Sequence, residues 1–589
     1  MKKIPFGSLL GLSLTLAGCD LVSLPDAKPV PNVNWSSAQN WSPALTNEFY
    51  HTPQGSQVAP YQWLLAVEQP MIPASIFGAA PLFFDATYMS RLGFLPDTQH
   101  QWNPDGLPVG FVKDEKWVDP HTGKHVVMGG FTCATCHTGQ LNVTTADGKL
   151  EALRIDGGSA MVDLQRFEKA LGTAFVLTEK LPLRFDRFAH RVLGNEYSDA
   201  QKAELKTALK DLIGKGLTEQ KLNKIHNVFP HEPGFGRVDA LNRIGNQVFG
   251  LEVSPDNLYT ANAPVAFPHL WGAAWFDYVQ YNGSIPQPLV RNVGEALGVK
   301  TPYVGKGKPE DLYKTAAHVD KLWLMEEWLA GPQPYEGLRA PAWPTNLFGA
   351  IDANKAAKGA ELYATHCASC HLPAGEQLKA DRLSEQPQSW TARNYRGDRL
   401  LKLPITPLET IGTDKNQAQD FIDRQVETGD IGKGKMLAGA ALDYVTIKVI
   451  ERYFADNNIP EEAQIAWNNG HKLGAEGARV VAAYKARPLD GIWATPPFLH
   501  NGSAPNLYDV LATEEERPKK FALGTHEFDT KKLGYVTTAF EGATIFDTSL
   551  PGNSNTGHEF ADKPKGPGVI GPRLSEDERF ALIEFLKTL

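Results

Sequence analysis

The chain has no basic stripe, no late apolar run of bilayer length, few strand signals and only five cysteines in 589 residues. Its net charge of −9 comes from interspersed acids and bases, which sets nucleic acid aside as a partner. Beyond the first twenty residues no stretch is apolar over the length a spanning helix needs. The strand signals present are short, which argues against a sheet-dominated fold. What remains is ample core material, 42% hydrophobic and 10% aromatic residues, and a length that points to two or more domains.

The N-terminus carries Lys2 and Lys3, then an apolar run from Ile4 to Leu16, then Ala17-Gly18-Cys19. Charged, apolar and small-residue regions in that order are those of an export signal, and the run is too short to span a membrane. Leu16-Ala17-Gly18-Cys19 resembles the bacterial lipobox, which would make Cys19 the lipidated first residue of the mature protein. The localisation implied is a periplasm-facing lipoprotein attached to the membrane through its lipid anchor, with inner and outer membrane both open. Asp20 resembles an inner-membrane retention signal.

Apart from Cys19, every cysteine falls in two pairs, Cys133-Ala134-Thr135-Cys136-His137 and Cys367-Ala368-Ser369-Cys370-His371. Both read C-x-x-C-H, the attachment signature of c-type haem. Two thiols three positions apart can bond to the two vinyl-derived carbons on one porphyrin edge, and the adjacent imidazole then ligates the iron. Structural zinc and a redox-active thioredoxin-like pair also use C-x-x-C, but neither explains a histidine after both pairs. The cofactors expected are two covalently bound haem c groups, with His137 and His371 as iron ligands.

Lys355 to His366 reads as a helix running into Cys367, with Gly359 permitting close approach of another backbone. At the far end Ser575-Glu576-Asp577-Glu578 is a capping box opening a helix whose Phe580, Leu582, Ile583, Phe585 and Leu586 supply a buried face. Such a pair resembles the crossed terminal helices of class I cytochrome c. Ser198 opens a further helical stretch with Leu205, Leu209, Leu212 and Ile213 at helical spacing. Four prolines between Gly331 and Pro344 mark a domain boundary. The expected fold is mainly α with extensive loops, comprising two cytochrome c-like haem domains. The division expected is 1–18 signal peptide, 19–48 tether, 49–335 N-terminal haem domain with a helical insert at about 198–229, and 345–589 C-terminal cytochrome c domain.

Two haem signatures followed by Thr495-Pro496-Pro497-Phe498-Leu499-His500-Asn501-Gly502-Ser503 resemble the bacterial di-haem cytochrome c peroxidase superfamily. The closer resemblance is to its branch of rubber oxygenases and di-haem fatty-acid dioxygenases. It rests on Asp156-Gly157-Gly158, on Arg237 to Arg243 and on Gly552-Asn553-Ser554-Asn555-Thr556-Gly557-His558-Glu559. The resemblance implies an N-terminal haem with an exchangeable distal position, where O₂ or peroxide binds, and a six-coordinate second haem that relays electrons. It makes His137 the proximal ligand of the first haem, His371 that of the second and His558 the distal ligand of the second, with Met436 and His500 as alternatives.

The same resemblance places Tyr281 where related peroxidases carry a tryptophan between the haems. A phenol is harder to oxidise without losing its proton, so Trp271 and Trp275 are alternative relays if they are not simply core. Glu295, within Arg291-Asn292-Val293-Gly294-Glu295, resembles the distal glutamate of the peroxidases, a carboxylate suited to moving a proton between peroxide oxygens. The aromatic stretch Phe77 to Phe94 reads as core or as the wall of an apolar channel. Three functions are consistent with these residues: a dioxygenase of an unsaturated hydrophobic substrate such as a fatty acid or isoprenoid, a peroxidase fed by a small redox protein, and a plain electron carrier.

Overall fold

The computed structural model describes residues 24–71, 78–145, 147–286, 288–373 and 375–589. The export signal and the lipidation site Cys19 lie outside the described residues.

Six strands form two small sheets around the first C-x-x-C-H. Strands β1 (Asn32–Trp35), β2 (Ala59–Pro60), β3 (Phe111–Asp114), β4 (Met128–Phe131), β5 (Thr138–Thr144) and β6 (Leu150–Asp156) assort as β1-β6-β5 and β2-β4-β3. β5 and β6 are an antiparallel hairpin in register from Thr138↔Asp156 to Thr144↔Leu150, and β1 joins β6 in parallel. Cys133–Thr135 is a single 3₁₀ turn between β4 and β5, so the first motif hangs between the two sheets. Gly110 has φ +85° and lies so close to this turn that a Cβ there would stand 2.3 Å from the Thr135 backbone nitrogen. No other residue type meets both demands.

The main helices are α1 (Pro43–His51), α2 (Leu164–Lys180), α3 (Pro182–Leu193), α4 (Asp199–Ile225), α5 (Leu289–Gly298), α6 (Val319–Ala330), α7 (Ala353–His366), α8 (Ala438–Asp456) and α9 (Glu576–Leu586). α4 is the helical insert, opened by a capping box between Ser198 and Gln201. It buries Leu205 and Leu209 against the cluster that holds Phe185 and Phe188. α9 is capped as its sequence indicates, Ser575 Oγ accepting from the Glu578 N–H and Glu578 returning to Ser575 N–H. It packs on α7 at Gly359, where a Cβ would stand 2.0 Å from the Ala581 carbonyl oxygen.

Three large apolar clusters hold these elements together. One joins Phe49, Leu141 and Trp271 with Tyr363, Trp493 and Leu582. The second gathers Phe83, Phe94, Phe111, Phe131 and Phe167, so the aromatic stretch after residue 77 packs as core. The third sets α5 against α8, through Leu289, Val293 and Leu297 on one side and Val445, Val449 and Phe454 on the other.

Two expectations about the fold class are corrected. The chain is 38% helical and 14% strand with many small sheets, so it is not mainly α. The strands escaped a periodicity reading because many span only two to four residues, as in Ala59–Pro60 and Ile285–Pro286, too short to show alternation. Nor does the structure show two cytochrome c-like haem domains. The first cluster runs without interruption through residues from both halves, and the strand β5 backbone bonds to the second half, Asn142 N–H donating to the His526 carbonyl at 2.7 Å.

Candidate functional site

The two histidines of the C-x-x-C-H motifs are held in the same way. His137 Nδ1 lies 2.8 Å from the Pro268 carbonyl oxygen, and His371 Nδ1 lies 2.9 Å from that of Arg487. A carbonyl can only accept, so Nδ1 carries the proton in each ring and Nε2 presents its lone pair, the arrangement of a metal-ligating imidazole. Burial pushes His137 down to about 4 and lowers His371, so both rings stay neutral at physiological pH. Burial also pushes the Cys133, Cys136 and Cys367 thiols up to about 12, and none of the four cysteines is in a disulfide. Among the described residues the two pairs do not converge on one point, as a shared zinc site would require.

The surroundings of the two histidines differ. His371 faces His558, their ring centres 6.2 Å apart. Two imidazoles at this separation could both reach a metal ion held between them. His558 is half-buried with φ +44°, its buried Nδ1 has no protein partner, and desolvation pushes the ring down to about 3. Its loop is pinned by Arg517, a guanidinium only 1% exposed, whose Nη1 donates to the Asn555 and Gly557 carbonyls and whose Nη2 donates to that of His558. His558 N–H in turn donates to the Ile411 carbonyl. The structure puts Met436 elsewhere, on the strand Lys435–Leu437 against the third cluster. His500 stacks on Tyr484 with its edge toward Tyr281.

His137, by contrast, stands in the wall of a cavity of about 1490 Å³, mouth included, together with Cys133 and Cys136. Its lining is largely apolar, with Phe131, Leu164, Ile244, Phe267, Val279 and Leu322 among it. Both thiols and a correctly protonated imidazole in the wall of one largely apolar cavity fit a covalently attached haem. The only other imidazole of the lining is His269, which follows Pro268 and stacks on Trp271.

Glu295 and Tyr281 both line this cavity. Glu295 is on α5 and accepts from Gln280 Nε2 at 3.1 Å. Burial raises its carboxyl above the usual range, and the nearby Arg291 only partly opposes this. Tyr281 donates its hydroxyl to the Ala266 carbonyl at 3.2 Å, and burial pushes the phenol up to about 12. Trp271 and Trp275 are core residues that tie their indole N–H groups to the Asp490 and Ala330 carbonyls.

Residues 483–522 match the family described as RoxA-like, cytochrome c-like. "Uncharacterized protein y4iJ" of Sinorhizobium fredii (strain NBRC 101917 / NGR234) is 45% identical over 591 residues, covering 96% of this chain and 95% of that protein. The chain belongs to the y4iJ family. "Uncharacterized protein y4iM" of the same strain is 27% identical over 334 residues, 54% of this chain and 63% of that protein. The match over residues 483–522 supports covalently bound haem c and a haem oxidoreductase in this member of the y4iJ family. Among the described residues no helix is long and apolar enough to cross a membrane.

The RoxA-like stretch also holds residues that sequence reasoning passed over. Lys485 and Arg487 line the first cavity, and the Arg487 carbonyl is the one that fixes His371. Arg517 lies in the same stretch. It follows Glu514-Glu515-Glu516, which reads as a solvated charge run, and nothing in that pattern signals a buried guanidinium. Gln280 and Arg291 became visible only through their contacts with the neighbourhood of Glu295.

Proposed function

We propose that this chain is an exported di-haem oxygenase that uses O₂ to attack an unsaturated hydrophobic substrate, a fatty acid or an isoprenoid. Cys133, Cys136 and His137 hold the reactive haem, and Cys367, Cys370, His371 and His558 hold a second that relays electrons. The observation that carries this reading is the asymmetry between the two imidazoles: His371 faces a second imidazole, whereas His137 stands in the wall of a largely apolar cavity. A carrier has no use for the second arrangement. A haem bound there supplies redox chemistry toward O₂ or peroxide. The protein's own residues orient and enclose. The Pro268 carbonyl fixes the His137 tautomer, the apolar walls take up hydrocarbon and exclude water, and the Tyr281 hydroxyl keeps its proton on the Ala266 carbonyl.

One observation favours a second reading, peroxide reduction with electrons from a small redox protein. Glu295 is an acid inside the cavity, raised by burial and oriented by Gln280, and so is suited to hold a proton and deliver it to a peroxide oxygen. In both readings Cys19 carries the lipid that keeps the protein at the periplasmic face of a membrane. Oxygen uptake by the holoprotein with a panel of unsaturated fatty acids and isoprenoids, peroxide absent, tests the proposal. Uptake with one of them supports oxygenation; no uptake with any, alongside turnover of hydrogen peroxide, replaces it with the peroxidase.

A further inference from the structure

The cationic side chains that line the first cavity fall into two groups. Arg243 is paired with Glu168 at 2.6 Å, and Arg291 with Glu326. Lys485 and Arg487 are not paired with any carboxylate among the described residues, although both reach the same wall. Their heads lie over one ring, Lys485 Nζ 6.0 Å and the Arg487 guanidinium 5.0 Å from the centre of Phe276. The carboxylate that acts on Lys485, Asp277, lies 3.8 Å from Arg479. Arg487 spends Nη1 and Nη2 on the His269 and Trp271 carbonyls, and its buried Nε–H has no partner. Nor has the buried Nε2 of His269 beside it.

Two neighbouring cations with no carboxylate in ion-pair contact, beside an unpartnered ring nitrogen in the wall of a largely apolar cavity, form an arrangement that an anion would complete, since charge withdrawn from water without a partner is costly. The environment agrees. Burial and the neighbouring Arg487 push Lys485 down to about 7, a cost that an anion beside the ammonium would remove. Tyr281 is within reach of the same ammonium, 5.7 Å from ring centre to Nζ, and a phenol ring face favours a cation there.

We infer that Lys485, with Arg487 behind it, is a carboxylate-binding site inside the cavity. The carboxylate has two possible sources, a propionate of the haem held by Cys133 and Cys136 or the head group of a fatty-acid substrate. The inference rests on reading the cavity as that of the reactive haem, and it narrows the substrate class if the second source is the right one. An isoprenoid hydrocarbon would leave the site to the propionate.

The test uses holoprotein with oleate and methyl oleate as probes, binding being followed by the absorption of the haem, and the midpoint potential of the same haem as an independent readout. A substrate site predicts that oleate binds at least tenfold more tightly than its ester, that K485M abolishes the difference and that K485R restores it. A propionate site predicts equal binding of acid and ester, with a midpoint potential shifted in K485M and recovered in K485R. Wild-type binding ratio and midpoint potential both retained in K485M would overturn the site. Should K485M not accumulate, K485Q is read in its place, and the acid-to-ester ratio of the wild type is available without any variant. None of these readouts needs turnover, so an absence of oxygen uptake would sink the oxygenase and leave the carboxylate site standing.

Discussion

Arg517 is the residue on which the second site most depends, and replacing it by alanine gives a calculable result. Its guanidinium donates to the carbonyls of Asn555 at 2.6 Å, Gly557 at 2.7 Å and His558 at 2.7 Å, which together fix the loop that presents His558. A net stabilisation of about 1 kcal/mol for each such bond gives about 3 kcal/mol for holding the loop. At about 1.4 kcal/mol per factor of ten, His558 ligation then weakens roughly a hundredfold. The assay is displacement of His558 by added imidazole, followed in the low-spin absorption and spin-resonance signals of the haem at Cys367 and Cys370. Arg517→Ala is expected to lower the imidazole concentration at half-displacement roughly a hundredfold, and Arg517→Lys, which keeps one donor head, by less. A displacement midpoint unchanged in Arg517→Ala would refute the reasoning, because the loop would then be held by something other than the guanidinium.

Further outcomes follow from other contacts. In an exposed helix Gly→Ala stabilises by about 0.8–1 kcal/mol, and Gly214→Ala, with open space around its Cβ, should do so; Gly359→Ala should instead destabilise by about 1–3 kcal/mol, read as a lower Tm, because its Cβ meets the Ala581 carbonyl. Glu295→Gln is expected to lower peroxide turnover by orders of magnitude with haem spectra intact if the peroxidase reading holds, and unchanged turnover would remove the glutamate from the mechanism. Glu295 also has a signature in stability. Its carboxyl is raised in the folded protein, so the folded state binds the proton more tightly than the unfolded one. Stability from this group is therefore full below the ordinary glutamate range and is lost as pH rises through its raised value, and a pH series of denaturation midpoints should be flatter in Glu295→Gln. Finally, Cys133→Ala with Cys136→Ala, and Cys367→Ala with Cys370→Ala, should each leave one covalent haem in place of two, measured by mass on the denatured chains; full haem content in either pair of replacements would contradict attachment there.

The parts of this molecule that were legible beforehand are those carried by local pattern. The helix start at Ser198, the capping box at Ser575 and the helix ahead of Cys367 each depend on residues within a few positions of one another, and the structure shows all of them, as it does the close approach that Gly359 permits. The two C-x-x-C-H motifs are likewise local. Sheets were missed because short strands such as Ala59–Pro60 owe their existence to partners far along the chain, here Met128 and Gly129, not to their own alternation. That two cytochrome c-like haem domains are not shown has a related reason. A proline-rich segment shows where helix and sheet are disfavoured, not which apolar faces meet across it, and Phe49 and Trp493 share one core. At the site, Glu295 and Tyr281 were singled out by resemblance, and the structure places both in the cavity. Lys485, Arg487 and Arg517 had no such pattern. Their roles depend on burial and on carbonyls from distant loops, which a linear sequence does not display.

The central claim is that one haem position is open to an outside ligand and the other is closed by His558. Titrating the dithionite-reduced holoprotein with carbon monoxide counts open positions directly. The account predicts one carbon monoxide bound tightly per two haems, with Cys133→Ala/Cys136→Ala abolishing that binding. Uptake of none, or of two in the unmodified protein, would contradict it.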